Sequence, residues 1–131
     1  MLAVILFAHG SRDPLWRKPM EAVADRMRAD SPEVPVRCAY LELTAPDLPA
    51  AAAELLALGA TAIRVVPVFL GTGKHAREDL PLLMDQLRAD HPTVTWELRP
   101  AVGEDARLLD LIATLALEST PGRQNPSSGN S

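Results

Sequence analysis

The chain has 131 residues, a hydrophobic fraction of 47% and a formal net charge of −4, which suits a single globular domain with one core. It contains no block of clustered Lys and Arg of the kind that binds a phosphate backbone, so we expect no nucleic-acid partner. The single cysteine, Cys38, excludes an intrachain disulfide and a cysteine-rich metal cage.

The first half of the chain predicts two strands and two helices. Residues 3–8 form a continuous apolar run of strand length. The run is too short for a signal peptide or a membrane span, and it lacks the basic segment that precedes a signal peptide. We therefore expect a buried first strand in a cytoplasmic protein that does not bind membranes. Helical spacing follows over residues 14–29, with Asp13 as N-cap and Pro14 at the first helical position, although Pro19 offers an alternative start. Residues 34–41 are strand-like, and residues 48–58 predict a helix that ends at Gly59.

The second half repeats this alternation. A strand is predicted for residues 62–68, a helix for 76–88 that Pro81 would kink or shorten, a strand for 94–98 and a helix for 104–117. The order βαβαβαβα predicts a three-layer α/β fold, in which helices cover both faces of a four-stranded, mainly parallel sheet. We expect a single domain over residues 1–118. Residues 119–131 are rich in Gly, Pro, Ser and Asn and predict a disordered tail.

Two short segments resemble each other. Residues 28–34 and 88–94 share the pattern Arg-Ala-Asp-X-Pro-X-Val, and both link a predicted helix to a predicted strand. Internal duplication and shared loop chemistry both explain the match. His91 falls in the second copy, where it is expected at a helix end rather than in a metal site.

Three candidate ligands are predicted at one edge of the sheet, because a parallel sheet binds ligands where its strands end. His9 follows the first strand, Glu42 the second, and His75 opens the helix after the third. His9 or His75 alone is equally well explained as a structural or solvated histidine, and Glu42 alone is more often a solvated or ion-paired acid at a strand end. Together, two imidazoles and a carboxylate could hold a borderline divalent metal ion with an exchangeable position, which would keep the ion transferable. Asp79, four residues after His75, could orient that imidazole. The favoured alternative is an exposed helix acid or an ion-pair partner of Lys74 or Arg77.

The loops at the same edge predict an anion-binding rim. Gly10 allows close approach to the backbone, and Ser11 and Arg12 follow it. A glycine-rich loop follows the third strand and contains Gly71, Thr72, Gly73 and Lys74. It lacks the spacing of a Walker A motif, but the backbone N–H groups of a helix N-terminus bind carboxylates as well as phosphates. We therefore expect a small polyanionic ligand.

Three segments resemble the CbiX/SirB sirohydrochlorin chelatases over roughly residues 1–118: residues 7–12, residues 40–47, and residues 66–75 with 79–81. The resemblance implies a chelatase-like fold and insertion of Co2+ or Fe2+, with Ni2+ also compatible, into sirohydrochlorin for cobalamin or sirohaem synthesis. It implies that His9, His75 and Glu42 bind the metal ion and assist proton removal, without an organic cofactor. Larger relatives contain two such domains, so a homodimer is implied here.

Other functions remain open from the sequence. A non-catalytic metal or tetrapyrrole carrier could use the same three residues, and sequence does not separate binding from turnover. Histidine phosphatases place an arginine before the histidine, where this chain has Ala8. A flavodoxin-like protein would need a Ser/Thr-rich phosphate loop after the first strand, which is missing, and fold alone does not specify function.

Overall fold

The computed structural model describes residues 1–119. Strands and helices alternate along the chain as predicted: β1 (Leu2–Ala8), α1 (Lys18–Asp30), β2 (Val36–Tyr40), α2 (Leu48–Ala57), β3 (Ala62–Pro67), α3 (Lys74–Asp90), β4 (Thr95–Leu98) and α4 (Ala106–Leu117). A short 3-10 helix, Val102–Glu104, precedes α4. The predicted disordered tail lies outside the described residues apart from residue 119.

The four strands form one parallel sheet in the order β2-β1-β3-β4. β1 therefore lies between two neighbours, with Val4 opposite Val36 in β2 and opposite Arg64 in β3. This central position explains its continuous apolar run, because both faces of the strand are covered. It also places the carboxyl ends of β1, β2 and β3 side by side.

The two faces of the sheet are covered by different helices. Ile5 and Phe7 point to one side, where they join a core with Leu55 of α2 and Met84 of α3. Val4, Leu6 and Ala8 point to the other side and pack with Met20 and Ala24 of α1. The predicted arrangement of helices on both faces is thus confirmed.

The last helix differs from the other three. None of the side chains of α4 is buried, and its packing within the described part of the chain is mainly against the preceding 3-10 helix. The face of β3 that carries Val66 and Val68 is left half-exposed. Local sequence pattern predicted the helix correctly, but none of its side chains is buried against the sheet.

The start of α1 corrects one interpretation. The helix begins at Lys18, with Pro19 in its first turn, and not at Pro14. Asp13 caps a separate turn instead, since its carboxylate accepts a hydrogen bond from the Leu15 backbone N–H at 2.9 Å. Proline at position 19 fits a first helical turn, where a backbone N–H is not needed.

The two similar helix-to-strand segments adopt the same conformation. Ser31 and His91 occupy equivalent C-cap positions, with φ/ψ of −138°/72° and −133°/69°. In each, the capping N–H donates to the carbonyl four residues earlier, and a valine N–H donates back to the capping residue. His91 is therefore a helix-end residue as predicted. Its ring packs beside that of Trp96, with 6.1 Å between the ring centroids.

No helix within residues 1–119 combines the length and the apolar character needed to cross a bilayer.

Candidate metal and macrocycle site

The loops after β1 and β2 continue the pairing of their strands. Beyond the strand ends, the Leu41 N–H donates to the Ala8 carbonyl at 2.9 Å and the Glu42 N–H donates to the His9 carbonyl at 3.0 Å. These bonds fix the two loops to each other. His9 and Glu42 are therefore held side by side by backbone geometry, not by a chance meeting of long side chains.

His9 and Glu42 form the closest candidate pair at this edge. His9 Nε2 lies 2.8 Å from Glu42 Oε1, and the two side chains are 50% and 44% exposed. An imidazole nitrogen and a carboxylate oxygen that face solvent together can ligate a divalent metal ion, and an imidazole can also accept a proton near neutral pH. The pair therefore offers both chemistries at one place.

Glycine is needed at position 10 for a different reason from the predicted approach of a ligand. Its φ is +106°, and a Cβ at this position would lie 1.7 Å from the Glu42 carbonyl oxygen. The close approach that glycine permits is therefore made by the backbone of Glu42. Gly10 thus allows the β1 and β2 loops to pass close enough for the His9–Glu42 contact.

Thr44 is a residue that the sequence analysis did not single out as functional. Its Oγ1 accepts a hydrogen bond from the Ser11 N–H at 3.1 Å and donates one to the Ser11 carbonyl. Thr44 thus ties the loop after β2 to the loop after β1. The signal in the sequence was weak, since a single threonine in a loop has many possible roles.

His75 lies in the first turn of α3 and pairs with Asp79. The Nε2 atom is 3.5 Å from Asp79 Oδ2, and the imidazole is 73% exposed. Asp79 is itself 40% exposed, so the contact is compatible with both roles predicted for this carboxylate. Because β3 is the neighbour of β1, and the Val68 N–H donates to the Phe7 carbonyl at 2.7 Å, this second pair belongs to the same edge of the sheet.

The three predicted ligands are not gathered into one cluster. Within residues 1–119, no three His, Cys, Asp or Glu side chains lie close enough together to hold a metal ion. His9 meets Glu42, whereas His75 meets Asp79. The arrangement is two separate imidazole–carboxylate pairs at the edge where β1, β2 and β3 end.

Two open basins line the same edge. One, of about 540 Å³, is bordered by loop residues that include the predicted Ser11 and Arg12 as well as Tyr40. The other, of about 410 Å³, includes Thr72 and Arg77 from the glycine-rich loop and α3. Gly71 and Gly73 have free space around them, and Lys74 is an exposed side chain 3.9 Å from Glu78.

The polar groups beneath the first basin are poor bases and poor ligands. Burial is the main cause that raises the pKa of Tyr40 to about 12, and burial also raises the pKa of the Cys38 thiol. Both groups therefore stay protonated near neutral pH. Proton acceptance and metal binding at this edge are left to imidazoles and carboxylates.

Comparison with known proteins places these features in a family. The CbiX family model matches residues 3–119. The sirohydrochlorin cobaltochelatase of Methanosarcina acetivorans is 30% identical over 118 residues, which cover 85% of this chain and 91% of that protein. The sirohydrochlorin cobaltochelatase of Methanothermobacter thermautotrophicus is 35% identical over 83 residues, 63% of this chain and 57% of that relative.

A solved structure supports the same grouping. The CbiX protein from Marinobacter aquaeolei VT8 superposes with a TM-score of 0.76 at 34% sequence identity, covering 88% of this chain and 94% of that one. The order of strands and helices described above is therefore that of a solved relative over nearly its whole length.

Proposed function

The chain belongs to the CbiX family, and we propose that it is a sirohydrochlorin chelatase that inserts Co2+ or Fe2+ into the macrocycle. The observation that carries the proposal is the exposed His9–Glu42 pair, 2.8 Å apart at the edge where β1 and β2 end. Relatives named sirohydrochlorin cobaltochelatase match most of the chain, and the pair has the chemistry that such an activity needs.

The metal ion is a substrate, so its site must release it. His9 Nε2 and Glu42 Oε1 are borderline-to-hard donors that accept Co2+, Fe2+ and Ni2+ alike. In the proposed encounter, the incoming ion replaces the direct imidazole–carboxylate contact with two metal–ligand bonds. Two or three protein ligands leave other positions to water and to the macrocycle nitrogens, so the ion can be passed on rather than trapped.

Insertion also releases two protons from the macrocycle. As the metal ion enters, two pyrrole N–H bonds break, and their protons must leave the ring. Neutral imidazole is a suitable acceptor near pH 7. The second pair, His75 with Asp79 at 3.5 Å, supplies another imidazole on the same edge, which we propose as a further ligand or proton acceptor. No organic cofactor enters this scheme.

The carboxylates of the macrocycle account for the loops around the two pairs. We propose that Arg12, with the backbone of Gly10 and Ser11, binds one side of the ligand. The glycine-rich loop is proposed for the other side, where Gly71 and Gly73 leave space for close approach and Thr72 borders the second basin. Lys74, at the start of α3, adds positive charge where a helix N-terminus already favours anions.

We further propose that the protein is homodimeric and cytoplasmic, and that its metallated product is used for cobalamin or sirohaem synthesis. The apolar residues 2–8, which could be mistaken for a targeting segment, form the central strand β1. A single domain of this size offers one open edge, so a second copy is needed to enclose a large flat macrocycle from both sides.

The proposal is tested by anaerobic metallation of sirohydrochlorin with Co2+, followed by absorbance. We compare the wild type with His9→Ala, His75→Ala and the control His91→Ala, which removes a histidine at the far end of α3. Removing a proton acceptor typically costs ~10²-fold or more. We expect losses of that size for the first two variants and none for the control.

Two outcomes would overturn this assignment. If the wild type binds Co2+ or the macrocycle without accelerating insertion, the protein is a carrier and not an enzyme. If the wild type accelerates insertion but His9→Ala and His75→Ala do so equally well, the two pairs are not the site.

A further inference from the structure

Leu43 occupies a strained backbone position directly after Glu42. Its φ is +66°, in the left-handed region that glycine and asparagine adopt readily and that a bulky side chain rarely adopts. The Thr44 N–H donates to the Glu42 carbonyl at 2.8 Å, so Leu43 is the central residue of a three-residue turn, of the rare kind with positive φ. Leucine at this position therefore costs free energy that glycine or asparagine would avoid.

Contacts on both sides hold Leu43 in this turn. Before it, the Glu42 N–H donates to the His9 carbonyl at 3.0 Å and fixes the chain to the loop after β1. After it, the Thr44 hydroxyl bonds to both the N–H and the carbonyl of Ser11. Backbone strain persists where the surrounding structure enforces it, and it is concentrated at functional sites. The turn is therefore a feature that asks for a functional reason.

The side chain that the turn presents is only partly used by the fold. Leu43 is 53% exposed, so the protein itself buries about half of this apolar side chain. Leu43 borders the first basin together with Ser11 and Arg12. An apolar side chain and a guanidinium group thus line the same open space beside Glu42.

Leu70 is a second exposed leucine on a fixed backbone. It lies between β3 and the glycine-rich loop, and its side chain is 66% exposed. The Gly103 N–H donates to the carbonyl of the buried Phe69 at 2.9 Å, and a Cβ on Gly103 would lie 1.7 Å from the Leu70 carbonyl oxygen. The backbone at Leu70 is therefore packed against the 3-10 helix, while its side chain lies in solvent.

The two leucines flank the end of the central strand, where His9 lies. β1 lies between β2 and β3, and because neighbouring strands are ~4.8 Å apart, β2 and β3 are separated by about 10 Å. Leu43 is the third residue after β2, and Leu70 is the third residue after β3. Both therefore belong to the edge that carries the two imidazole–carboxylate pairs, with a separation that one four-ring macrocycle can span.

Sirohydrochlorin needs apolar contacts as well as charged ones. Its carboxylates are arranged around the periphery, whereas the two faces of its conjugated ring are apolar. Arg12, Lys74 and the backbone N–H groups of the loops suit the carboxylates. They offer no apolar surface to a ring face, and exposed leucines at the same edge do.

We propose that Leu43 and Leu70 form an apolar platform that contacts one face of the macrocycle. Each leucine leaves water when the ring covers it, which stabilises the complex. The strained turn holds Leu43 beside Glu42 before the ligand arrives, so little ordering is needed on binding. The inference rests on the proposed chelatase function and specifies how the ring is positioned beside the two pairs.

Anaerobic titration of the protein with metal-free sirohydrochlorin, followed by absorbance, tests the platform. Leu43→Asn and Leu70→Ser should each raise the Kd for the macrocycle by about tenfold, because each removes the apolar area that the ring would cover. The matched control is Leu58→Asn. Leu58 is 54% exposed and follows α2 at the opposite edge of the sheet, where β3 begins, so its replacement should leave this Kd unchanged.

Steady-state metallation with Co2+ separates contact with the ring from an indirect effect on Glu42. Loss of a ring contact raises the KM for sirohydrochlorin and leaves kcat unchanged. A displaced Glu42 would instead lower kcat at saturating sirohydrochlorin. We expect the first pattern for Leu43→Asn and Leu70→Ser, and a lower kcat with an unchanged KM would overturn the proposal.

Thermal unfolding tests the strain at Leu43. Asparagine adopts a positive φ more readily than leucine does, and Leu43 and Leu58 are similarly exposed. Leu43→Asn should therefore unfold at a higher temperature than Leu58→Asn, because only the first replacement relieves strain. An equal or lower temperature would overturn the role given to the turn.

The platform and the chelatase activity fail in different ways. If Leu43→Asn and Leu70→Ser bind the macrocycle as tightly as the wild type, the platform is wrong, whether or not the wild type metallates it. If the wild type binds sirohydrochlorin without metallating it and the two variants bind it more weakly, the chelatase assignment is wrong and the platform stands. A wild type that does not bind the macrocycle overturns both.

Light scattering on the same samples tests whether a second copy covers the leucines instead. All variants should have the mass of the wild type. A change of mass in Leu43→Asn or Leu70→Ser would assign the leucines to a contact between copies and overturn the platform.

Discussion

Replacement of Gly10 by alanine should destabilise the fold and separate His9 from Glu42. A Cβ would lie 1.7 Å from the Glu42 carbonyl oxygen and 2.9 Å from its carbonyl carbon. To reach an ordinary C···O contact of ~3.3 Å, the two loops would have to move apart by about 1.6 Å. That movement breaks the 3.0 Å hydrogen bond from the Glu42 N–H to the His9 carbonyl.

The magnitude follows from two costs. Alanine at φ +106° adds backbone strain of about 1–3 kcal/mol, and overpacking adds about 1–3 kcal/mol. The total of about 2–6 kcal/mol is a large part of the 5–15 kcal/mol that stabilises a typical domain. For a domain of this size we expect Tm to fall by roughly 8 °C or more.

Thermal unfolding followed by circular dichroism measures the effect, with Gly71→Ala as the matched control. A Cβ at Gly71 meets nothing within 4 Å, so this variant should unfold within about 2 °C of the wild type. Metallation by Gly10→Ala, measured well below its Tm, should also be slower because Glu42 is displaced. If Gly10→Ala unfolds at the same temperature as Gly71→Ala and metallates as fast as the wild type, the argument for a close passage of the two loops is refuted.

Two further predictions concern the same edge of the sheet. Thr44→Val removes both hydrogen bonds to Ser11 and should lower the free energy of unfolding by about 1–3 kcal/mol and slow metallation. Thr44→Ser should restore both properties. If Thr44→Val unfolds at the same urea concentration as the wild type, the assigned contact is wrong. Because partial burial raises the pKa of the Cys38 thiol, less of it is thiolate in the folded protein than in the unfolded chain. Iodoacetamide at pH 8 should therefore label the folded protein more slowly than the urea-unfolded chain, and equal rates would contradict the shift.

Local pattern was sufficient for the order of elements. Continuous apolar runs identify strands buried on both faces, and helical spacing with a stop at Gly59 identifies α2, because these signals depend on neighbouring residues only. Parallel pairing then follows from the alternation of strands and helices. His9 and Glu42 could be assigned to one edge for the same reason, since β1 and β2 run in the same direction.

The start of α1 and the partner of Gly10 required the tertiary structure. Asp13 and Pro14 carry a valid helix-start signal, but the chain forms a separate turn there and begins the helix at Lys18. A glycine after a strand is compatible with many close approaches. Only the register that places Ala8 opposite Tyr40 brings the Glu42 carbonyl to Gly10.

The sequence by itself determined the α/β fold, the family and the edge where the chemistry lies, because these depend on local periodicity and on short motifs. The tertiary structure decided which groups meet: His9 with Glu42 and His75 with Asp79, while no side chain of α4 is buried against the sheet. Contacts between residues far apart in the chain depend on strand register and helix placement, which the summed packing of the whole domain sets and no local pattern encodes.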